Sequence, residues 1–217
     1  LPRNEGEDWT YDLVTDSVER SLKRLKTDHI DVLQLHSCGV EVLERGDVIR
    51  ALQDVRAAGK TRFIGYSGDN EHAQWAVDSG IFATLQTSFS MVDQKARNGL
   101  LEAAEAKGMG IIIKRPIGNI VWGKASVSSA YHQQYLERAQ AMSALGPVVG
   151  EDDPIKMAMG FTFAHPQVHT AIVGTTNLDH MLSNIEMMDK GVTPESETMD
   201  TLIQRFGELG ADWPQMT

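Results

Sequence analysis

A short apolar run followed by an amphipathic helix recurs five times along this chain, and that alternation decides which folds are open to it. The runs are residues 30–35, 62–65, 82–86, 110–114 and 170–173, and the helices that answer them are 40–58, 71–78, 94–107, 155–164 and 178–188. Helical spacing is read from the apolar positions, as in 12–25, where Leu13, Val14, Val18, Leu22 and Leu25 share one side. Glycines close several helices: Gly59 before Lys60, then Gly80 and Gly108. A last helix, 193–209, carries Pro194 near its start.

Repeated strand–helix units imply an α/β protein with a parallel sheet. Their spacing is near the roughly 30 residues per unit of a (β/α)8 TIM barrel. An open doubly wound sheet is the alternative; it usually carries a Gly-rich turn after its first strand, and no G-x-G-x-x-G occurs here. No domain boundary or low-complexity tract interrupts the chain. Residues 117–153 are too long for an ordinary connection, and such excursions at a barrel mouth are commonly functional.

The strand ends carry the chemistry. Asp31-Val-Leu-Gln-Leu-His36 runs an apolar strand into a histidine, where α/β proteins place reacting side chains. An imidazole there donates to a carbonyl oxygen or moves a proton near neutral pH; the same pattern also fits a core histidine bonded to backbone. The later strands end at Ser67, Gln86, Lys114-Arg115 and Gly174-Thr175-Thr176, so each visible station at the mouth is polar, as a large phosphorylated ligand requires. Gly174-Thr175-Thr176-Asn177 leads into a helix whose N–H groups form an anion site. Barrels commonly hold phosphate after strands seven and eight. If these are the last two strands, three are absent from the front.

A net charge of −10 argues against nucleic acid and against an anionic membrane surface. One cysteine excludes an internal disulfide and fits a reducing compartment; no run approaches a spanning helix and no signal-peptide pattern opens the chain, so the cytoplasm is the expected location. The chain begins with Leu1 rather than Met, which points to processing or to a piece of something longer.

With these residues assembled, the chain resembles the aldo-keto reductase family from about Glu7 to Lys190. Ser17-Val-Glu-Arg-Ser-Leu-Lys-Arg-Leu followed by Leu-Gln-Leu-His36 is similar to the family's helix-to-strand segment ending in its active-site histidine. Gly59-Lys-Thr-Arg-Phe-Ile-Gly-Tyr-Ser67 is similar to the next strand, and Ile172-Val-Gly-Thr-Thr-Asn-Leu-Asp-His-Met-Leu-Ser-Asn184 to the cofactor-phosphate segment. The resemblance implies a single domain over residues 1–217, a partial barrel of about strands four to eight plus a C-terminal helix. It implies reduction of an aldehyde or ketone by hydride from NADPH, with NADH possible. His36 orients and polarises the carbonyl; Ser67 and Gln86 hold the nicotinamide carboxamide; Arg115 and Gly118 approach the cofactor. Gly174, Thr175, Thr176, His180 and Asn184 take its adenosine end. Trp122 is assigned to a substrate loop, with packing against the rim as the alternative.

Departures accompany the likeness. Gly68 replaces an asparagine that grips the carboxamide, Lys114 replaces a ring that stacks on the nicotinamide, and His180 stands where many members carry arginine or glutamine. A neutral histidine reads a dianion less well than a guanidinium, so the implied preference for NADPH is modest. The family's aspartate, tyrosine and lysine lie upstream of anything here, and Tyr11, Tyr66, Tyr131 and Tyr135 are outside that motif. The isolated chain is therefore expected to be inactive; a non-catalytic nucleotide-binding sensor or regulatory subunit is the alternative. Substrate identity and oligomeric state stay open.

Other signals are set aside. Gly118-Asn-Ile-Val-Trp-Gly-Lys124 nearly spells a phosphate loop, but Ala125 stands where Ser or Thr must bind Mg²⁺. His165 and His169 have zinc spacing, yet Pro166 breaks the helix, and no metal site is expected. Cys38 reads as a small buried residue rather than a reactive thiol. Met187 and Met188 read as core, Trp9 and Trp213 have no assigned work, and Glu5, Glu7, Asp8 and Asp12 form a solvated helix start.

Overall fold

The computed structural model describes residues 8–148 and 153–216; Leu1, Glu5, Glu7 and part of the 117–153 excursion lie outside them. Contacts divide the chain into two compact units, one of residues up to 86 with 103–110, the other of 87–102 with residues from 111 onward.

In the first unit, α1 (Tyr11–Leu25) starts where Thr10 Oγ1 accepts from Leu13 N at 3.3 Å, and it ends at Lys26 in the left-handed region. Its buried face, Val18 and Leu22, packs with Val55, Ile30 and Leu33. Strands β1 (Ile30–His36) and β2 (Thr61–Ser67) are parallel, with Ile30 opposite Thr61 and His36 opposite Ser67. Strand β3 (Thr84–Ser88) joins β2 in parallel, bringing Gln86 opposite Ser67. Between them stand α2 (Val40–Arg45), α3 (Asp47–Ala57) and α4 (Asn70–Ser79). The single helix expected over 40–58 is thus two, because Gly46 takes φ 83° and turns the chain.

In the second unit, β4 (Gly110–Lys114) pairs in parallel with β5 (Thr170–Ile172). Helix α5 (Leu100–Ala106) has residues in both units, and α6 (Ala130–Ala144), α7 (Pro154–Phe163), α8 (Leu178–Lys190) and α9 (Ser196–Leu209) belong to the second. The helix expected over 94–107 shrinks to α5 and a turn at Lys95–Arg97, since Gly99 at φ 103° breaks it. The 117–153 excursion holds α6, with Tyr135, Leu136, Ala139 and Met142 buried. Met187 and Met188 are not core: no residue of α8 is buried, and Leu178, Met181, Leu182, Ile185 and Met188 form an exposed apolar stripe. A groove of about 320 Å³ between β5 and α8 leaves Met181, Ile185 and Met188 bordering open space.

The C-terminal residues close the second unit with polar bonds. Gln215 Nε2 donates to Thr87 Oγ1 and to Ser88 O, each at 2.8 Å. Met216 N donates to Asp93 Oδ2 at 2.8 Å, and its carbonyl accepts from Ser88 Oγ and from Arg115. Arg138 lies 3.8 Å from Asp93, donates to Pro214 O, and stacks over Trp213 at 5.0 Å, which gives that tryptophan its work. Truncation after Trp213 leaves Asp93, Thr87 and Arg115 with fewer partners in a buried setting. Urea unfolding of the truncated chain is expected to show a loss of about 3 kcal/mol; an unchanged midpoint would mean the clasp is superficial.

Candidate active site

Parallel pairing lines up three polar side chains at the C-terminal ends of neighbouring strands. His36 is opposite Ser67, and Ser67 opposite Gln86, so all three project from the same face. The ladder carries on past them: Ser37 N donates to Ser67 O at 2.8 Å and Gly68 N to Gln86 O at 3.0 Å. Gln86 Nε2 donates to Ser67 Oγ at 2.9 Å. Ser67 is buried, whereas His36 is exposed, with its Nδ1 3.1 Å from Ser37 Oγ. Ser37 adopts φ 56°, which turns the chain sharply away just after the histidine.

The glycine at 68 has a local cause. A Cβ there would stand 2.6 Å from Tyr66 Cε1 and 2.7 Å from its hydroxyl, so the ring of Tyr66 occupies the room a larger residue needs. Tyr66 is buried against Phe82, and its hydroxyl donates to Cys38 O at 2.5 Å. Burial pushes that phenol above its ordinary range. Cys38 is buried as well, and desolvation raises its thiol to about 11, so it is a small core residue rather than a nucleophile. Tyr11 donates to Asp54 at 2.9 Å, Tyr135 accepts from Arg115 at 3.2 Å, and the Tyr131 ring lies under that arginine. No bond joins any of these hydroxyls to His36 among the described residues.

The second unit holds two cavities that share Gly174. One, of about 320 Å³, is lined by Gly174, Thr175, His180 and Asn184 together with Asp153, Ser183 and apolar side chains. The other, of about 460 Å³, has Lys114, Arg115 and His132 on its wall. Nothing lies within 4 Å of a Cβ built on Gly174, so packing does not demand glycine there and the space is open to a ligand. Thr176 is exposed and lines neither cavity. The N-terminus of α8 is capped from within, Asn177 Oδ1 accepting from Asp179 N at 2.9 Å and Thr175 Oγ1 from Asn177 N at 3.1 Å. Met187, read from sequence as core, lines this cavity instead, and Asp153 and Ser183 are wall residues the sequence reading did not assign; Asp153 caps the Ile155 and Lys156 N–H groups at the start of α7.

Two residues assigned to the cofactor meet demands of their own. Arg115, at φ 62°, donates to Ser88 Oγ at 3.1 Å, to Tyr135 and to the Met216 carbonyl, so much of its donor capacity serves the C-terminal clasp. Gly118 is buried at φ 51°, and a Cβ would fall 2.9 Å from Val92 Cγ2. Trp122 is half-buried. The near-phosphate loop is a short turn, Gly118–Ile120, and the next helix begins only at Ala130, which removes the NTPase reading. His169 Nδ1 accepts from Ile111 N, and His165 packs on Phe89 and Phe161; no metal-binding cluster exists among the described residues.

The family model described as the aldo/keto reductase family matches residues 2–202. An L-galactose dehydrogenase of Arabidopsis thaliana is 24% identical over 189 residues, covering 83% of this chain and 59% of its own length. Protein tas of Escherichia coli K12 is 24% identical over 213 residues, covering 81% and 62%. The chain thus spans about three fifths of these curated relatives. In structure it is similar to an aldo-keto reductase of Bacillus halodurans, with TM-score 0.73 and 18% identity over 92% of this chain and 68% of that one.

Two outcomes follow from the packing. Gly68→Ala drives a methyl into Tyr66 and is expected to cost about 1–3 kcal/mol of stability, read from chemical unfolding; in a Tyr66→Leu background, where the ring is gone, the same change is expected to cost little. His165 is held below its ordinary 6.5, first by burial and then by Arg97, against the pull of Glu102 and of its bond to Phe161 O. Its contribution is full above that value and is lost as pH falls through the lower folded pKa, because the unfolded chain takes the proton first. Unfolding midpoints are therefore expected to drop on the acid side, and His165→Gln to flatten that slope.

Proposed function

Because the chain belongs to the aldo/keto reductase family, we propose that it serves hydride transfer between a nicotinamide nucleotide and an aldehyde or ketone. The observation that carries this reading is the row His36, Ser67, Gln86 across three adjacent strand ends. The residues suit the cofactor: a hydroxyl and an amide already paired at 2.9 Å match the donors and acceptors of a carboxamide, and the open space at Gly174 suits a nucleotide. When bound, the reduced nicotinamide supplies hydride to the carbonyl carbon. His36 is assigned to the carbonyl oxygen through Nε2, its ring steadied by Ser37 at Nδ1, so that charge developing on oxygen meets a fixed donor. Gly174, Thr175, His180 and Asn184 are assigned to the adenosine end, Lys114 and Arg115 to its phosphates, and Trp122 to the substrate loop. NADPH is the cofactor the family resemblance implies, and NADH is compatible with the same residues.

The same proposal takes residues 1–217 as one domain, part of a (β/α)8 barrel with its strands numbered four to eight. Val32 and Phe63, on the strand face that bears His36, are exposed, as is the stripe on α8; this is what a sheet with neighbours still to come presents. The acidic charge and single buried cysteine support a cytoplasmic, small-molecule role. A proton source beside His36 is the missing element, since the described tyrosines are engaged elsewhere. We therefore assign nucleotide binding to the 217-residue chain and turnover to a form that also carries the family's aspartate, tyrosine and lysine.

Fluorescence titration with NADPH and NADH, followed by a carbonyl-dependent oxidation assay, tests this. Saturable binding in the micromolar range (about −8 kcal/mol) without turnover is expected, and Gly174→Val should weaken it at least about tenfold while leaving the fold intact. Turnover by the chain alone would overturn its assignment as incomplete. A folded chain that binds neither nucleotide would overturn the cofactor reading.

A further inference from the structure

We propose that Ser37 is a positioning residue: its hydroxyl donates to His36 Nδ1, which fixes the imidazole in the tautomer that carries its proton on Nε2 and leaves that N–H for a ligand. The inference rests on the reading of His36 as the donor to a carbonyl oxygen. It adds what sets that donor, and what holds the setting residue in place.

Serine is an unusual choice for the backbone it has here. At φ 56° residue 37 lies in the left-handed region, where glycine sits freely and asparagine is enriched. A serine kept in such a place points to work done by its side chain. The turn is tied down on both sides. Ser37 N donates to Ser67 O at 2.8 Å. Next along the chain, Cys38 is fully buried, and its carbonyl accepts from the Tyr66 hydroxyl at 2.5 Å. Tyr66 is sealed in the core against Phe82. Both anchors belong to β2, so residue 37 is held in its turn by the neighbouring strand. The turn in its place puts Oγ 3.1 Å from His36 Nδ1.

A neutral imidazole has one N–H and one bare nitrogen, and the bond made at one of them decides where the proton sits. A serine hydroxyl can donate or accept at Nδ1. If it accepts, the proton is on Nδ1, and Nε2 meets a carbonyl oxygen as one acceptor facing another. If it donates, Nδ1 is the acceptor and Nε2 carries the proton, which is what a carbonyl oxygen can take. Among the described residues the bond to Ser37 is the one hydrogen bond of the His36 ring, so Nε2 is open to a ligand. Only the donating arrangement gives the left-handed serine a use that the assigned chemistry needs.

The test is nitrogen NMR of the full chain with isotope-labelled histidine, at alkaline pH, where imidazole is neutral. His36 is identified by the signals lost in His36→Gln. Its ring is expected to show one tautomer, with the proton on Nε2. Ser37→Gly is the decisive variant, because it relieves the left-handed backbone while removing the hydroxyl. Its urea midpoint should be unchanged or higher, yet the share of the Nδ1–H tautomer should rise about fivefold. Ser37→Asn suits the same backbone and keeps a donor, and should stay near the parent ratio. A parent chain with its proton on Nδ1 overturns the inference, as does a glycine variant whose tautomer ratio is unchanged. Should the glycine variant fail to fold, the parent spectrum and that of Ser37→Ala decide in the same way. A parent chain that holds the proton on Nε2 but binds neither NADPH nor NADH leaves Ser37 in its role and overturns the cofactor reading instead.

Discussion

Gly65 lies one turn of the pleat below the polar row, and no side chain fits there. A Cβ on it would stand 2.0 Å from Thr84 Oγ1 and 3.0 Å from Gln34 Cγ, so β1, β2 and β3 close over the missing atom. Gln34 Nε2 donates to Thr84 Oγ1 across the gap at 3.4 Å. Register in a parallel ladder is otherwise held only by slanted backbone bonds, and a slip of one residue sends each side chain to the opposite face. With Gly65 at a position of β2 that accepts no Cβ, the register that sets His36, Ser67 and Gln86 on one face and level is held in place. The chemistry assigned to that row depends on a glycine two residues before it.

The second unit is fixed by different means. Its strands β4 and β5 pair at only three positions, too few to hold a phosphate-binding end in place by themselves. Polar groups deep in the unit do that instead: Asp93, Arg138, Gln94, Gln215 and Ser88 are buried and joined through the C-terminal backbone. Arg115 belongs to this network at one end and to the cavity wall at the other. Its left-handed backbone and that of Gly118 turn the chain between β4 and the excursion that follows. Buried polar networks are costly when partly satisfied, and Gln94 Oε1 and Arg138 Nη1 are buried here without a hydrogen-bond partner among the described residues, so this unit carries some of that cost.

How much of this was legible in the sequence depends on which interactions are local. The strand–helix alternation, the histidine at a strand end and the caps at Gly59, Gly80 and Gly108 follow from residues adjacent in the chain, and the structure has them. So does the reading of Cys38 as core. Gly46 and Gly99 break helices that periodicity alone joins, because left-handed glycines interrupt without disturbing the apolar spacing. Helix α6 was missed inside a long segment read for its motif, although Tyr135, Leu136, Ala139 and Met142 carry helical spacing. The pocket residue Asp153 lies on a different element from Gly174, twenty-one residues earlier, and nothing in the chain's order announces that it lines the same cavity. The role of Arg115 in the clasp required partners about a hundred residues away, which no local pattern reports.

A family likeness carries a backbone and a set of stations; the residues at each station still answer to their own neighbours. At position 68 the substitution is a consequence of Tyr66, which takes the space an asparagine would use and directs its hydroxyl to Cys38 O instead. The carboxamide end then rests on the Ser67–Gln86 pair, and its donors and acceptors are arranged before any ligand arrives. At position 180 a histidine shares its cavity with Asp153, Ser183 and Asn184, so what that station can hold is set by those neighbours and not by the family's pattern alone.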